Sequence, residues 1–250
     1  MKYKKRVALI PLAAMLLMGF GIYAFINQEK KAYDYSDFYV PVESDQPTTT
    51  TDAAKEPDEP NQVLSLDLLK QRNKDIVGII EFDERMIYEP IVQASDNDYY
   101  VRRNIDLNYA SAGIPFISYD GNINSTNIVV YGHSSTTGNI IFTPLMNYLE
   151  KNFYLAHPTF NFILSDEVRT YQIVSVLNID LDNLNDSLEF TKSSWRNQDS
   201  YASFLRSVKE DAVYETGESI STSDKLMTLV TCDTRDGNSR VVVVAKEITQ

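Results

Sequence analysis

Two long apolar runs near the C-terminus constrain the fold of this chain most strongly. Residues 227–231 lead into Cys232, and residues 241–245 follow Arg240 after a turn at residues 233–238. Runs rich in valine, leucine and threonine that are bounded by Asp, Gly and Asn are typical of buried strands. If the two runs pair as neighbours, Cys232 ends one strand and Arg240 begins the next. The pattern therefore predicts that a thiol and a guanidinium lie close together.

Most of the chain after residue 62 has the same strand-like character. The predicted strands are residues 76–82, 86–93, 113–119, 127–131, 160–164, 171–179, 225–231 and 240–248. Short helices are predicted at residues 63–70, 142–153 and 200–214, the last of them clearly amphipathic. Because these strands do not alternate regularly with long helices, the sequence predicts a mostly β fold. Either an antiparallel barrel or a sandwich with helical insertions fits this pattern.

An apolar run of 20 residues, 7–26, follows four basic residues near the N-terminus. A helix needs this length to cross a bilayer, and the basic residues place the N-terminus in the cytoplasm. A cleaved signal peptide is the alternative, but the run is long for one and no Ala-x-Ala site follows it. Residues 1–26 are therefore predicted to be a single-pass membrane signal-anchor, with the rest of the chain extracellular.

Residues 27–61 contain four prolines, a threonine run and many acids. Such a segment cannot bury enough apolar surface to offset its ordering entropy, so we expect a disordered extracellular stalk. The aromatic residues Tyr33, Tyr35, Phe38 and Tyr39 near its start are expected at the membrane interface. Residues 62–250 are predicted to form one compact domain.

The composition excludes several kinds of partner. The chain has 23 Lys and Arg against 35 Asp and Glu, and without the four N-terminal basic residues the balance is 19 against 35, a formal charge of −16. No nucleic-acid partner is expected, because phosphate binding needs a basic surface. One cysteine excludes an intramolecular disulfide, and one cysteine with two histidines does not make a zinc site. We expect no metal or cofactor, and we interpret the acids of residues 180–186 as a solvated loop.

Cys232 is a candidate nucleophile, although a lone cysteine is often only a small buried hydrophobic residue. A thiol becomes useful when a base can take its proton. His133 is the better candidate base, because it lies just past a predicted buried strand and behind Gly132, a glycine that allows a tight turn. His157 is interpreted as a surface histidine. Arg240 could stabilise negative charge on a carbonyl oxygen during acyl transfer, and otherwise it would form a weak surface ion pair.

Three motifs in combination resemble the signature of sortases, the cysteine transpeptidases of Gram-positive cell surfaces. They are Tyr131-Gly132-His133, Thr228-Leu229-Val230-Thr231-Cys232 and the downstream Arg240. The resemblance covers the chain from residue 63 onward and implies an eight-stranded sortase-like β-barrel with short helices. It also implies that Cys232 is the nucleophile, His133 the general acid and base, and Arg240 the residue that positions substrate or stabilises the oxyanion. Thr231 is expected to line the substrate pocket.

The subclass that the chain resembles is class B. The resemblance rests on the N-terminal helical segment, residues 95–100, the helix after His133 and the long helix before the cysteine strand. Residues 233–239 form a shorter connection to the arginine strand than many class B members have, which leaves the roles of Asp233 and Thr234 open.

The resemblance implies a two-step reaction on secreted proteins. Cys232 would cleave a C-terminal sorting motif and form a thioacyl intermediate, and an amine of the peptidoglycan cross-bridge or its lipid-linked precursor would resolve it. Three alternatives stay open. They are a pilin-polymerising sortase with a lysine acceptor, a secreted cysteine protease with water as acceptor, and a non-enzymatic surface β-domain in which Cys232 is a core residue.

Overall fold

The computed structural model describes residues 33–42, 62–136, 138, 140–183, 190–235 and 238–248. The predicted anchor at residues 1–26 lies outside these residues. Within the described ranges, no helix combines the length and the apolar character needed to cross a membrane.

The described strands form two sheets. A small sheet pairs β1 (Tyr39–Pro41) with β2 (Gln62–Leu64) in antiparallel fashion. The other strands are β3 (Ile76–Phe82), β4 (Tyr88–Gln93), β5 (Phe116–Ile117), β6 (Asn127–Tyr131), β7 (Thr159–Ile163), β8 (Val168–Asp180), β9 (Leu226–Cys232) and β10 (Ser239–Glu247). They close into a barrel in the order β10-β8-β7-β3-β4-β5-β6-β9. The structure thus confirms the eight-stranded barrel and decides against the sandwich.

Two strand pairs in the barrel are parallel, and all others are antiparallel. β4 pairs with β5, and β6 pairs with β9 in a register that sets Tyr131 opposite Val230. Because β6 and β9 run in the same direction, their C-terminal ends leave the barrel side by side. β10 returns antiparallel to β9, so its first residues lie at this same edge.

Within the described residues, three α-helices connect the strands. α1 (Leu66–Arg72) begins at Ser65, whose hydroxyl accepts a hydrogen bond from the Leu68 N–H. After β6, a 3₁₀ helix (Thr143–Leu149) precedes α2 (Lys151–Ala156). α3 (Gln198–Glu210) begins with a reciprocal capping box between Asn197 and Ser200. Shorter 3₁₀ turns lie at Ser36–Phe38, Asp83–Arg85 and Leu181–Asn183.

The buried apolar residues of the described ranges form three clusters. One cluster fills the barrel and includes Phe82, Phe142 and Phe162. A second lies between α3 and the outer face of β8, β9 and β10, where Phe204 packs close to Trp195. Since β9 and β10 are covered on both faces, their sequences are continuously apolar rather than alternating.

The third cluster involves residues 33–42, and it shows that the prediction of an unstructured stalk is wrong for this segment. Phe38 is buried, its carbonyl accepts a hydrogen bond from the Ser65 N–H, and β1 adds to β2. Tyr33 packs on the same cluster and donates a hydrogen bond to Asp106 at 2.7 Å. The aromatic residues expected at a membrane interface therefore pack on the domain, while residues 27–32 and 43–61 lie outside the described ranges.

Candidate active site

The ends of β6, β9 and β10 surround a groove of about 260 Å³ at one edge of the barrel. Four residues singled out from the sequence lie in its lining: His133, Thr231, Cys232 and Arg240. The parallel β6–β9 pair delivers His133 and Cys232 to the same edge, although they are far apart in sequence. His157, the other histidine, lies elsewhere, with its Nδ1 3.4 Å from Asp83 of the β3–β4 turn.

Cys232 and Arg240 are direct cross-strand partners in the β9–β10 pair. This confirms the predicted closeness of the thiol-bearing and guanidinium-bearing residues. Cys232 is half-buried and is not part of a disulfide. The Arg240 guanidinium donates to the Ser239 carbonyl at 3.0 Å, which draws it back along its own strand. The pairing thus brings an arginine and a partly accessible cysteine together in the lining of one groove.

Asp233 holds the turn that joins these two strands. Its backbone N–H donates to the Ser239 carbonyl at 2.8 Å, and its carboxylate accepts from the backbone N–H of Arg235 at 2.9 Å. The Asp233 side chain is 1% exposed and also pairs with the Arg235 guanidinium. An aspartate carboxylate can accept a hydrogen bond from the backbone N–H two residues ahead, and such local bonds stabilise a short turn. The structure therefore gives Asp233 a role in the turn that the sequence had left open.

The His133 ring is anchored from outside the strands. Its Nε2 lies 2.9 Å from the carbonyl oxygen of Val101, in the long connection between β4 and β5. A carbonyl can only accept, so Nε2 carries the proton and, in the neutral ring, Nδ1 carries the lone pair. Nδ1 is thus the atom that can take up a proton.

The glycine before the histidine is required by packing rather than by the backbone turn that the sequence suggested. A Cβ at Gly132 would lie 2.4 Å from the ring of Phe142, and Gly132 is not among the described glycines with positive φ. The Phe142 N–H also donates to the His133 carbonyl at 3.0 Å. Phe142 therefore fixes the backbone on both sides of the Gly132–His133 peptide.

Two hydroxyl groups tie the ends of β6 and β9 together. The Thr231 hydroxyl donates to the Gly132 carbonyl at 2.8 Å, and the Ser134 hydroxyl donates to the Cys232 carbonyl at 2.7 Å. Thr231 lines the groove as expected, but its hydroxyl is turned to the backbone of β6.

The walls of the groove are mainly apolar. Val101, Phe116, Tyr131 and Val230 line it, with the amide of Asn97 at one side. Burial raises the pKa of Tyr131, so this ring stays a neutral, amphipathic wall. The Asn97 side chain is held by the Tyr119 N–H, which donates to its oxygen at 2.9 Å. An apolar groove with one fixed amide suits an extended peptide that has both apolar and polar side chains.

Sequence reasoning missed Val101, Ser134 and most of the groove wall. Val101 acts through a backbone carbonyl, which any residue provides, so no side-chain pattern could have revealed it. Ser134 directly follows the histidine, and this adjacency was the only available signal. Within the described part of the chain, no group of three or more His, Cys, Asp or Glu residues could hold a metal ion.

A protein-family model, described as the sortase domain, matches residues 91–248 and therefore takes in His133, Cys232 and Arg240. This chain belongs to the sortase family. Sortase B of Listeria monocytogenes is 33% identical over 187 residues, which is 73% of each chain. The family and this relative make the protein a cysteine transpeptidase of class B, as the sequence motifs predict.

Solved structures of class B sortases share the fold. Sortase B of Clostridium perfringens superimposes with a TM-score of 0.68 at 29% identity and covers 74% of this chain and all of the other. A Staphylococcus aureus sortase B–substrate complex has a TM-score of 0.66 at 26% identity and covers 74% of this chain and 84% of the other. The barrel described above thus has the fold of class B sortases.

Proposed function

We propose that this sortase is anchored in the cell membrane, cleaves a C-terminal sorting motif of secreted proteins and joins them to a peptidoglycan amine. In this proposal Cys232 is the nucleophile, His133 is the general acid and base, and Arg240 stabilises the oxyanion. The observation that carries the assignment is the direct pairing of Cys232 with Arg240 at the mouth of a groove that His133 also lines. A nucleophile, a base and a cation around one site are what acyl transfer requires.

In the first step the Cys232 thiol gives its proton to Nδ1 of His133, and the sulfur attacks the scissile carbonyl carbon. Negative charge then develops on the carbonyl oxygen, where the Arg240 guanidinium stabilises it. The carbon–nitrogen bond breaks, and the proton on His133 moves to the leaving amine. The products are a thioester on Cys232 and a released C-terminal fragment.

In the second step an incoming amine attacks the thioester. His133 takes a proton from the amine nitrogen, the carbon–sulfur bond breaks, and the proton returns to the sulfur. The half-buried position of Cys232 supports this step, since an acceptor can reach the thioester from the open side of the groove. Charge and protons balance over the cycle, and no step changes an oxidation state.

The groove supports a peptide substrate. Its apolar walls can bury side chains of an extended segment, and Asn97 can bond a polar group of that segment. A related sortase B has been solved as a substrate complex, which supports the same use of the groove here.

The packed segment at residues 33–42 changes the expected distance between the domain and the membrane. If residues 7–26 span the bilayer, only the six residues 27–32 separate the span from this segment. A chain of that length reaches at most about 20 Å, so the barrel would lie close to the bilayer rather than at the end of a long stalk. Such closeness favours a lipid-linked acceptor. The full chain is expected to sediment with membranes, and a variant without residues 1–26 is expected to stay in the supernatant.

The test uses the full chain in detergent with a panel of sorting-motif peptides, with and without added amines, and reads the products by mass spectrometry. We expect cleavage that needs Cys232 and, when an amine is present, a ligated product. Oligoglycine or a peptidoglycan-stem amine and a pilin lysine peptide are compared as acceptors.

Each outcome separates the proposal from its alternatives. Ligation to the cell-wall amines supports the proposal, whereas ligation only to the lysine peptide would make the protein a pilin polymerase. Cleavage with water as the sole acceptor would make it a protease. No reaction, together with a thiol that resists alkylation in the folded protein, would leave a non-enzymatic surface domain.

A further inference from the structure

The ends of β6 and β9 are joined by a reciprocal pair of hydroxyl bonds that surrounds both candidate reactive residues. The residue after His133, Ser134, donates to the carbonyl of Cys232 at 2.7 Å. The residue before Cys232, Thr231, donates to the carbonyl of Gly132, the residue before His133, at 2.8 Å. Cys232 therefore accepts one of these bonds at its own carbonyl. His133 lies between Gly132 and Ser134, which both bond across the strand pair.

These bonds take over where the backbone pairing of the two strands runs out. The backbone bond at the strand exit goes from the Gly132 N–H to the Val230 carbonyl at 3.1 Å. Beyond it the chains must separate, because β9 turns back into β10 while the chain after β6 continues toward the 3₁₀ helix at Thr143–Leu149. Side-chain hydroxyls have the reach to bond carbonyls across that widening gap.

We infer that Ser134 is a positioning residue that, with Thr231 as its counterpart, sets the distance between the His133 ring and the Cys232 thiol. This role rests on the proposed function of that pair. Ser134 acts through the Cys232 carbonyl and is not among the residues that line the groove. It is 4% exposed, so its hydrogen bond is shielded from competing water.

Other restraints on the pair come from separate parts of the fold. Val101 holds the His133 ring from the β4–β5 connection, and Arg240 pairs with Cys232 from β10. Neither of them links the histidine peptide to the cysteine peptide. The two hydroxyl bonds do join these neighbouring peptides directly. A displacement of about 1 Å between reacting groups can lower a rate about 100-fold.

The same strand pair offers a matched control at its opposite end. The Thr228 hydroxyl donates to the Asn127 side-chain oxygen at 2.8 Å, and both residues are fully buried. Ser134→Ala and Thr228→Val each remove one hydroxyl donor that joins β6 to β9. Only the first is next to the candidate reactive residues.

The experiment compares full-length wild type, Ser134→Ala, Thr231→Val and Thr228→Val in detergent. It measures kcat and KM for motif-peptide cleavage, the rate of iodoacetamide alkylation of Cys232, the single cysteine of the chain, and the melting temperature. We expect Ser134→Ala to lower kcat about 10- to 100-fold with KM nearly unchanged. Alkylation should slow in the same variant, because thiol reactivity follows proton loss to the nearby base. Thr231→Val should repeat this pattern, which covers the case that Ser134→Ala does not fold.

Thr228→Val should lower the melting temperature and leave kcat and alkylation at their wild-type values. The inference is overturned if Ser134→Ala and Thr231→Val keep wild-type kcat and alkylation, or if all three variants lose kcat in proportion to melting temperature. A wild type without cleavage activity contradicts the proposed function, while the alkylation rates still report whether the hydroxyl bonds govern the thiol.

Discussion

The two ends of the β6–β9 pair use the same chemical device for different purposes. At the far end, Thr228 bonds the side chain of Asn127, which also donates to the Lys192 carbonyl at 2.8 Å, and both partners are fully buried. At the site end, Thr231 and Ser134 bond backbone carbonyls beside a half-buried cysteine and histidine.

The two ends differ in which side-chain groups remain available for chemistry. At the far end the Thr228 hydroxyl and the Asn127 amide are both occupied by hydrogen bonds, and a satisfied buried network of this kind stabilises one arrangement of the core. Bonding to backbone carbonyls at the site end fixes the strands and leaves the thiol and the imidazole for chemistry. One parallel strand pair thus serves stability at one end and, under the proposed assignment, catalysis at the other.

The largest expected effect comes from Cys232→Ala. It should lower kcat/KM for motif cleavage at least about 10³-fold, because the covalent step needs the sulfur. The free energy of unfolding should change by less than about 1 kcal/mol, since the side chain is half-buried and small. Steady-state kinetics and urea unfolding measure the two quantities. A variant that keeps wild-type turnover would show that the site end is not the reactive end.

Arg240→Ala should lower kcat/KM about 10²- to 10³-fold, as loss of an oxyanion donor does elsewhere. Arg240→Lys keeps the charge but loses the planar group, so it should recover only part of the loss. Most of the change should appear in kcat, because the charge develops in the transition state. If the same loss of kcat/KM came from a higher KM with unchanged kcat, Arg240 would instead contribute to binding of the substrate in its ground state.

Asn127→Ala at the far end should lower the free energy of unfolding by about 2–3 kcal/mol. It leaves a buried threonine hydroxyl and a buried carbonyl without their partner. Chemical denaturation followed by tryptophan fluorescence measures the loss. Activity at a temperature where the variant is fully folded should equal that of the wild type, and a fall in kcat there would show that the two ends are not separable.

The smallest expected effect is at Glu89, which lies under the packed segment 33–42 and outside the strand pair. Burial raises the pKa of Glu89 from its ordinary value near 4.5 to about 7, against the opposing hydrogen bond from Tyr35. Between these two values the folded state binds more protons than the unfolded state, so stability falls as pH rises from about 4.5 to 7.

Glu89→Gln should flatten this part of the pH profile and add about 1–2 kcal/mol of stability at pH 8. Thermal melts of both proteins between pH 5 and pH 8 measure the difference, with kcat as the control that should not change. Parallel pH profiles for the two proteins would contradict the assignment of the raised pKa to Glu89.

The sequence predicts the β-rich core and the pairing of Cys232 with Arg240 because both depend on local patterns. Continuous apolar runs reveal strands that are covered on both faces, and a short turn leaves little choice of partner for β9 and β10. The three candidate reactive residues, His133, Cys232 and Arg240, could be singled out because each has a distinctive side chain.

Other features of the site depend on contacts between distant segments, which local patterns do not encode. The Val101 carbonyl reaches His133 only because the β4–β5 connection folds over the groove. Residues 33–42 look polar and aromatic in sequence, and their burial depends on the surface that α1 and β3 provide. The sequence suggested that Gly132 allows a tight turn, whereas the structure shows that the close approach of the Phe142 ring requires a glycine at this position.

The most direct test of the account is the intact mass of the full chain after brief incubation with a sorting-motif peptide and no added amine. The account predicts a mass increase equal to the acyl part of the peptide on Cys232, absent in Cys232→Ala and removed when an amine is added. Peptide cleavage that proceeds equally in Cys232→Ala, or a thiol that forms no adduct while cleavage occurs, would contradict it.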